Sequence, residues 1–186
     1  MPMPPILPTI DWPAVFNSGL EFDAWIARAE NRQYAEAMVQ AVDAAPLPPH
    51  VRAALAGLAN DIHVVAIAED WCGDVVRHVP ALERLRRAAT RLHVRYISRA
   101  QYPDVFVRFL TNGGEAIPKF IFLSAKFVEC GNWGPMPASC RELIARGKAS
   151  GDTAGARATV SQLYAADPDL KIVVRELMEL IDIAAG

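Results

Sequence analysis

The sequence predicts an α/β domain with a mixed central sheet, helices on both faces and helical extensions at either end. Three observations predict it. "IHVVAIA" (62–68) and "LHVRYIS" (92–98) are short apolar runs rich in β-branched residues, separated by a helix-length segment, which reads as a strand–helix–strand unit. "KFIFLS" and "KFVEC" are separated by only a few residues around Ser124–Lys126, the pattern of an antiparallel hairpin. Helical periodicity flanks this central block on both sides. A strand–helix–strand crossover makes a parallel pair and a hairpin an antiparallel one, so the sheet is mixed.

The elements follow in order. Residues 1–10 carry four prolines among the first eight residues and read as an extended leader, because proline at that density excludes helix. From Asp11 to about Ala45, Phe22, Trp25, Ile26, Tyr34, Met38 and Val42 recur at helical spacing. "PLPP" (46–49) ends that helix and a short one follows over 51–59. After strand 62–68 a helix runs from about Gly73 to Ala89, and after strand 92–98 another covers about 104–110, closed by "NGG" at 112–114. The hairpin comes next, then a helix over 137–147 and a flexible connection of small residues, "GKASGDTAG" (147–155). Two C-terminal helices complete the chain, the second with Asp167 as N-cap and Pro168 as its first residue. Its stripe Leu170, Val173, Val174, Leu177, Met178, Ile181 packs on the domain or, as the lesser reading, forms a dimer contact. The organisation is a leader with helical extension (1–59), a core (60–148) and a C-terminal helical extension (149–186), as one compact unit.

Composition narrows the function classes. At 186 residues, 52% hydrophobic and 22% charged, the chain is an ordinary globular domain. A formal charge of −2 and the lack of a basic cluster interleaved with aromatics argue against nucleic acid as a partner. The proline-rich start lacks the charged and apolar regions of a secretory signal, and no apolar run approaches the roughly 18 residues of a membrane span. A cytoplasmic protein without a membrane partner is the expectation. Cys72, Cys130 and Cys140 then read as free thiols.

Cys72 carries the strongest chemical signal. It falls where strand 62–68 turns into the helix from Gly73. A helix start offers unpaired N–H groups and the positive end of the macrodipole, both of which favour a thiolate, the form nucleophilic sulfur chemistry requires. The plainer alternative is a small apolar residue fitting a strand–helix corner. Asp74 and His78, at i and i+4, suggest zinc with Cys72, but no second ligand pair supports it and they read as a solvated helix surface. His50, His63 and His93 read as isolated loop or strand-surface residues. There is no nucleophile elbow and no phosphate-binding glycine loop.

The segment "EDWCGD" (69–74) resembles the active-site segment of the thioredoxin superfamily, in which tryptophan, cysteine, two residues and a second cysteine open a helix. Trp71, Cys72 and Gly73 match, and Pro80 matches the proline within the same helix. "GGEAIPKFIFL" resembles the segment carrying a cis-proline before the hairpin, which makes Ile117–Pro118 the pair that faces the cysteine and holds an extended substrate backbone. With "GNWGPMP" (131–137) the pattern is similar to a group of bacterial thioredoxin-like proteins with extra terminal helices. The resemblance covers about residues 60–148 and implies a thioredoxin-like three-layer fold.

Two departures shape the implied activity. Val75 stands where the second, resolving cysteine belongs, and Ala66, six residues before Cys72, stands where thioredoxins keep a buried aspartate. Asp74 stabilises the helix start but works against a thiolate. The expectation is a monothiol redox protein acting on disulfides or mixed disulfides of a protein or small molecule. It has no bound cofactor, and an external thiol such as glutathione serves as co-substrate and resolver. Cys130 is the possible internal resolver and Cys140 a weaker one. Trp133 lines the substrate surface beside Pro118 or packs in the core. A redox-inert peptide- or protein-binding module is the alternative, and a glutathione-transferase-like enzyme is disfavoured because about 30 C-terminal residues cannot build that family's helical domain.

Overall fold

The computed structural model describes residues 7–186; the proline-rich start of the leader, residues 1–6, lies outside them. The sheet has four strands, β1 (Ile62–Ile67), β2 (Leu92–Ile97), β3 (Lys119–Leu123) and β4 (Glu129–Trp133), in the order β2-β1-β3-β4. β1 pairs parallel with β2 and antiparallel with β3, and β3 pairs antiparallel with β4. This is the mixed sheet expected, with the hairpin shifted. β4 starts at Glu129 rather than at Lys126 because Ser124 caps the turn, its hydroxyl accepting from the Lys126 and Val128 amides.

β1 and β3 occupy the centre and every residue of β3 is buried, as a strand covered on both faces requires. The helix between β1 and β2, α5 (Gly73–Ala88), buries Val75, Val79, Leu82 and Leu85 completely. Pro80 lies inside it; proline has no N–H, so one carbonyl of the preceding turn loses its intrahelical partner.

The helix expected from Asp11 to about Ala45 is three helices, α1 (Trp12–Ser18), α2 (Phe22–Ala27) and α3 (Arg32–Ala44). Asn31 caps α3 by accepting from the Tyr34 amide at 3.1 Å. Between α1 and α2, Leu20 exchanges two backbone hydrogen bonds of 2.9 and 2.8 Å with Tyr96, covering the open edge of β2. Gly19 permits that approach, since a Cβ there would lie 2.7 Å from the Arg95 Cβ. These breaks are tertiary, which is why continuous helical spacing concealed them. α4 (Pro49–Ala56) closes the extension.

After β2, α6 (Pro103–Phe106) runs into a single 3-10 turn, Val107–Phe109. The chain beyond β4 is more ordered than its small residues suggest. α7 (Ala138–Ser150) continues through "GKAS" and ends at Gly151, whose φ of 80° is the left-handed helix stop. Asp152 then caps α8 (Thr153–Ala166) through the Gly155 amide at 2.9 Å. α9 begins at Lys171, later than expected, and runs to Ala185. Asp167 still caps it, but from outside, accepting from the Lys171 and Ile172 amides at 2.8 and 3.0 Å. The stripe Val173, Val174, Leu177 and Ile181 is buried against the sheet and α5. Among the described residues no helix is long and apolar enough to cross a membrane.

Candidate functional site

Cys72 occupies the N-cap position of α5, half-buried, with extended backbone (φ −90°, ψ 122°). Its side chain caps nothing. Instead Sγ donates to the Ile117 carbonyl at 3.6 Å, so the thiol lies against the Ile117–Pro118 peptide, which is cis. With no side-chain cap at Cys72, the first-turn amides of α5 lack intrahelical partners.

The residues flanking Cys72 shape the approach. Trp71 is 55% exposed with the Arg99 guanidinium 5.2 Å from its ring. Arg99 is held by Glu115, at 2.9 Å, and its own amide donates to Glu69, also at 2.9 Å. Gly73 is exposed, and a Cβ there would meet nothing within 4 Å. Beyond Trp71 a groove of about 450 Å³ runs between Arg99, Pro103, Phe106 and Leu110. The N-terminal extension also reaches the site, where the Asp70 carboxylate accepts from the Asn31 amide at 2.9 Å.

Val75 is fully buried: the position of a second motif thiol is filled by core. Cys130 sits at the start of β4, opposite Phe122 and Leu123, whereas Cys72 lies at the Lys119 end of β3. Four residues of strand separate the two ends, ~13 Å, twice what a disulfide spans. The structure does not bring Cys130 to Cys72. Cys140 is buried, and burial raises its thiol pKa. Trp133 is also buried, stacked on Phe120 at 5.3 Å with its Nε1 donating to Glu176 at 2.6 Å. Its ring belongs to the core rather than to the surface beside Pro118.

The pair read as a solvated helix surface is the largest departure. His78 is completely buried and Asp74 partly so, because α8 covers them. The Tyr164 hydroxyl donates to Asp74 at 3.2 Å and lies 3.1 Å from His78 Nε2. Since the hydroxyl proton points to Asp74, Nε2 carries the imidazole proton and Nδ1 is the bare nitrogen. Among the described residues Nδ1 has no hydrogen-bond partner. A second proton would have no acceptor in a buried pocket, so burial first, then Arg77, pulls the His78 pKa down to about 3. Burial likewise raises Asp74, and burial with the Asp74 charge raises Tyr164. Arg77 stacks 4.2 Å from the Tyr164 ring and donates to the last carbonyls of α8. On α9, Glu176 caps α7 through the Ala138 amide at 3.0 Å. The C-terminal extension thus closes over the helix that carries Cys72. No three His, Cys, Asp or Glu side chains among the described residues come together as a metal site.

His78 gives a pH signature. Its folded pKa lies below the unfolded value of about 6.5, so its contribution to stability is complete above pH 6.5 and lost as pH falls toward 3. Denaturant titrations are expected to show stability declining below pH 6.5, by up to about 1.4 kcal/mol per pH unit. His78→Gln should flatten that decline between pH 6 and 5. An unchanged slope would show that His78 is charged in the folded protein.

Sequence reasoning missed Tyr164, Arg99 and Lys119. Lys119 is buried, its Nζ donating to Thr111 at 2.6 Å and to the Gly134 carbonyl at 2.9 Å, and burial, then Arg141, lowers its pKa to about 8. A lysine opening an otherwise apolar strand was its visible signal. His63 and His93 are not isolated either: parallel register stacks their rings 5.5 Å apart.

Comparison with known proteins agrees with this fold. Two solved structures share the fold. One is a protein of unknown function from Pseudomonas aeruginosa, with TM-score 0.71, 17% identity, and 94% of this chain and 98% of that one covered. The other is an HIV epitope-scaffold, with TM-score 0.69, 15% identity, and 93% and 98% covered. No curated protein matches the chain. A thioredoxin family model matches residues 19–152, well over half of the sequence, and takes in α2 to α4 as well as the sheet. The chain belongs to the thioredoxin family.

Proposed function

We propose that the protein exchanges thiols and disulfides through Cys72 alone, with an external thiol completing each cycle. The observation that carries this reading is the half-buried Cys72 sulfur at the start of α5, 3.6 Å from the Ile117 carbonyl, with buried valine where a second thiol would stand. The Cys72 thiolate attacks one sulfur of a disulfide, forms a mixed disulfide and expels the other sulfur as thiolate. A second thiolate, from glutathione or a protein thiol, attacks the substrate sulfur of that mixed disulfide and releases Cys72. Each cycle consumes one external thiol, releases one substrate thiolate and leaves the other substrate sulfur in a new mixed disulfide with that thiol; a second cycle with a second external thiol completes the two-electron reduction. The Ile117–Pro118 backbone holds the substrate chain, and Trp71 and Gly73 border its path.

Turnover is then expected to depend on the concentration of added monothiol. Val75→Cys should relieve that dependence. The introduced thiol stands one helical turn from Cys72, about 5.4 Å, within the roughly 4.4–6.8 Å between Cα atoms that a disulfide takes. The oxidised variant should lose two free thiols and gain dithiol reductase activity. Monothiol-independent turnover by the unmodified protein would overturn the proposal.

The alternative of a redox-inert binding module is favoured by one feature, the exposed Trp71 ring beside a preformed groove. Partner binding that survives Cys72→Ser but is lost with Trp71→Ala would select it.

A further inference from the structure

Away from Cys72, the two terminal extensions meet in a cavity of about 440 Å³ between α4 and α9. Its walls are apolar, from Leu47, Val51 and Ala54 on one side and Val174 and Met178 on the other. That volume is in the range of small-molecule sites, which are apolar with a few placed polar groups. The fixed charges that line it are Arg84, Lys171 and Arg175 against Asp169, an excess of cations in a chain whose formal net charge is −2.

Arg84 is the decisive residue. It is buried, and its hydrogen bonds go to the carbonyl oxygens of Pro80, Ala45 and Asp169 at 3.4, 3.3 and 3.0 Å. Carbonyl dipoles satisfy its donors, while the Asp169 and Asp167 carboxylates act on its charge only from beyond ion-pair distance and burial still lowers its pKa; a buried charge without a close counter-charge is costly. The Asp169 carboxylate, which favours the charged Arg84 from a distance, also pairs with exposed Lys171 at 3.5 Å. Arg175, exposed one turn farther along α9, adds a second cation at the mouth.

We propose that this cavity binds an apolar monocarboxylate, its hydrocarbon body between α4 and α9 and its carboxylate toward Arg84 and Arg175. The ligand would supply a counter-charge closer than Asp169 and Asp167 and cover the apolar walls in one step. Because α9 also carries Glu176, which holds Trp133 and caps α7, occupancy would brace the extension that covers Asp74 and His78.

The test titrates decanoate, below its micelle concentration, into the full chain by calorimetry, with decyltrimethylammonium as the opposite-charge probe of similar tail. Decanoate is expected to bind at one site and the cation at least about tenfold more weakly. Ala54→Trp, which fills the cavity from an exposed helix position, should abolish decanoate binding. Arg175→Glu, a surface change that leaves the walls intact, should weaken it about tenfold, while Cys72→Ser should bind like the unmodified protein. No binding of decanoate, equal binding of the cation, or binding retained in Ala54→Trp would each overturn the proposal.

Discussion

Replacing Cys72 with serine is expected to reduce disulfide exchange to the uncatalysed background. A serine hydroxyl keeps the shape of the site but, without a general base, supplies no nucleophile at neutral pH. The two nearest carboxylates in sequence are already engaged, Asp70 by the Asn31 amide and Asp74 by Tyr164. The same assay on Cys130→Ser should give turnover within about twofold of the unmodified protein, because Cys130 lies at the far end of the sheet, ~13 Å away along β3. Residual turnover in Cys72→Ser that disappears only when Cys130 is also removed would place the chemistry elsewhere.

Gly134→Ala is expected to have the largest effect on stability. Gly134 sits at φ +120°, and a Cβ there would lie 2.0 Å from the Pro118 carbonyl oxygen. Neither partner can yield cheaply. Gly134 accepts from buried Lys119 at 2.9 Å and from Arg141 at 3.2 Å, and Pro118 opens onto a fully buried strand. Strained backbone and overpacking each cost about 1–3 kcal/mol, so a loss of roughly 3 kcal/mol or more is expected. For a chain of this size that lowers Tm by about 6–12 °C. Surviving folded protein should also be slower in thiol exchange, since relief of the clash moves the Ile117–Pro118 peptide against Cys72. Gly73→Ala is the control: its Cβ meets nothing within 4 Å, and removing a helix glycine should be neutral or stabilise by up to about 1 kcal/mol. A Tm for Gly134→Ala within about 2 °C of the unmodified protein would mean that the two loops are not rigidly packed.

The sheet was legible because its strands are short β-branched runs whose burial leaves one reading, and Cys72 was legible because strand end, cysteine and helix start are adjacent in sequence. What escaped depends on contacts across long sequence separations. Gly19–Leu20 interrupts a helical pattern only because Tyr96 lies beside it. Asp74 and His78 have the spacing of an exposed pair and become buried only when Tyr164, 90 and 86 residues later, arrives on α8. Trp133 resembles a binding-surface residue until Glu176 supplies the acceptor for its indole. Cys130 was placed at the end of a strand that in fact begins there, a shift set by the Ser124 turn. In each case the local pattern was compatible with two environments and a distant residue chose between them.

The most direct measurement is peptide mass mapping after brief exposure of the native protein to glutathione disulfide, followed by addition of reduced glutathione. The account predicts one glutathione adduct, on Cys72, formed first and removed by reduced glutathione, with Cys140 protected by burial. An unmodified Cys72 alongside a glutathionylated Cys130, or a Cys72 adduct that reduced glutathione does not release, would contradict single-thiol exchange at this site.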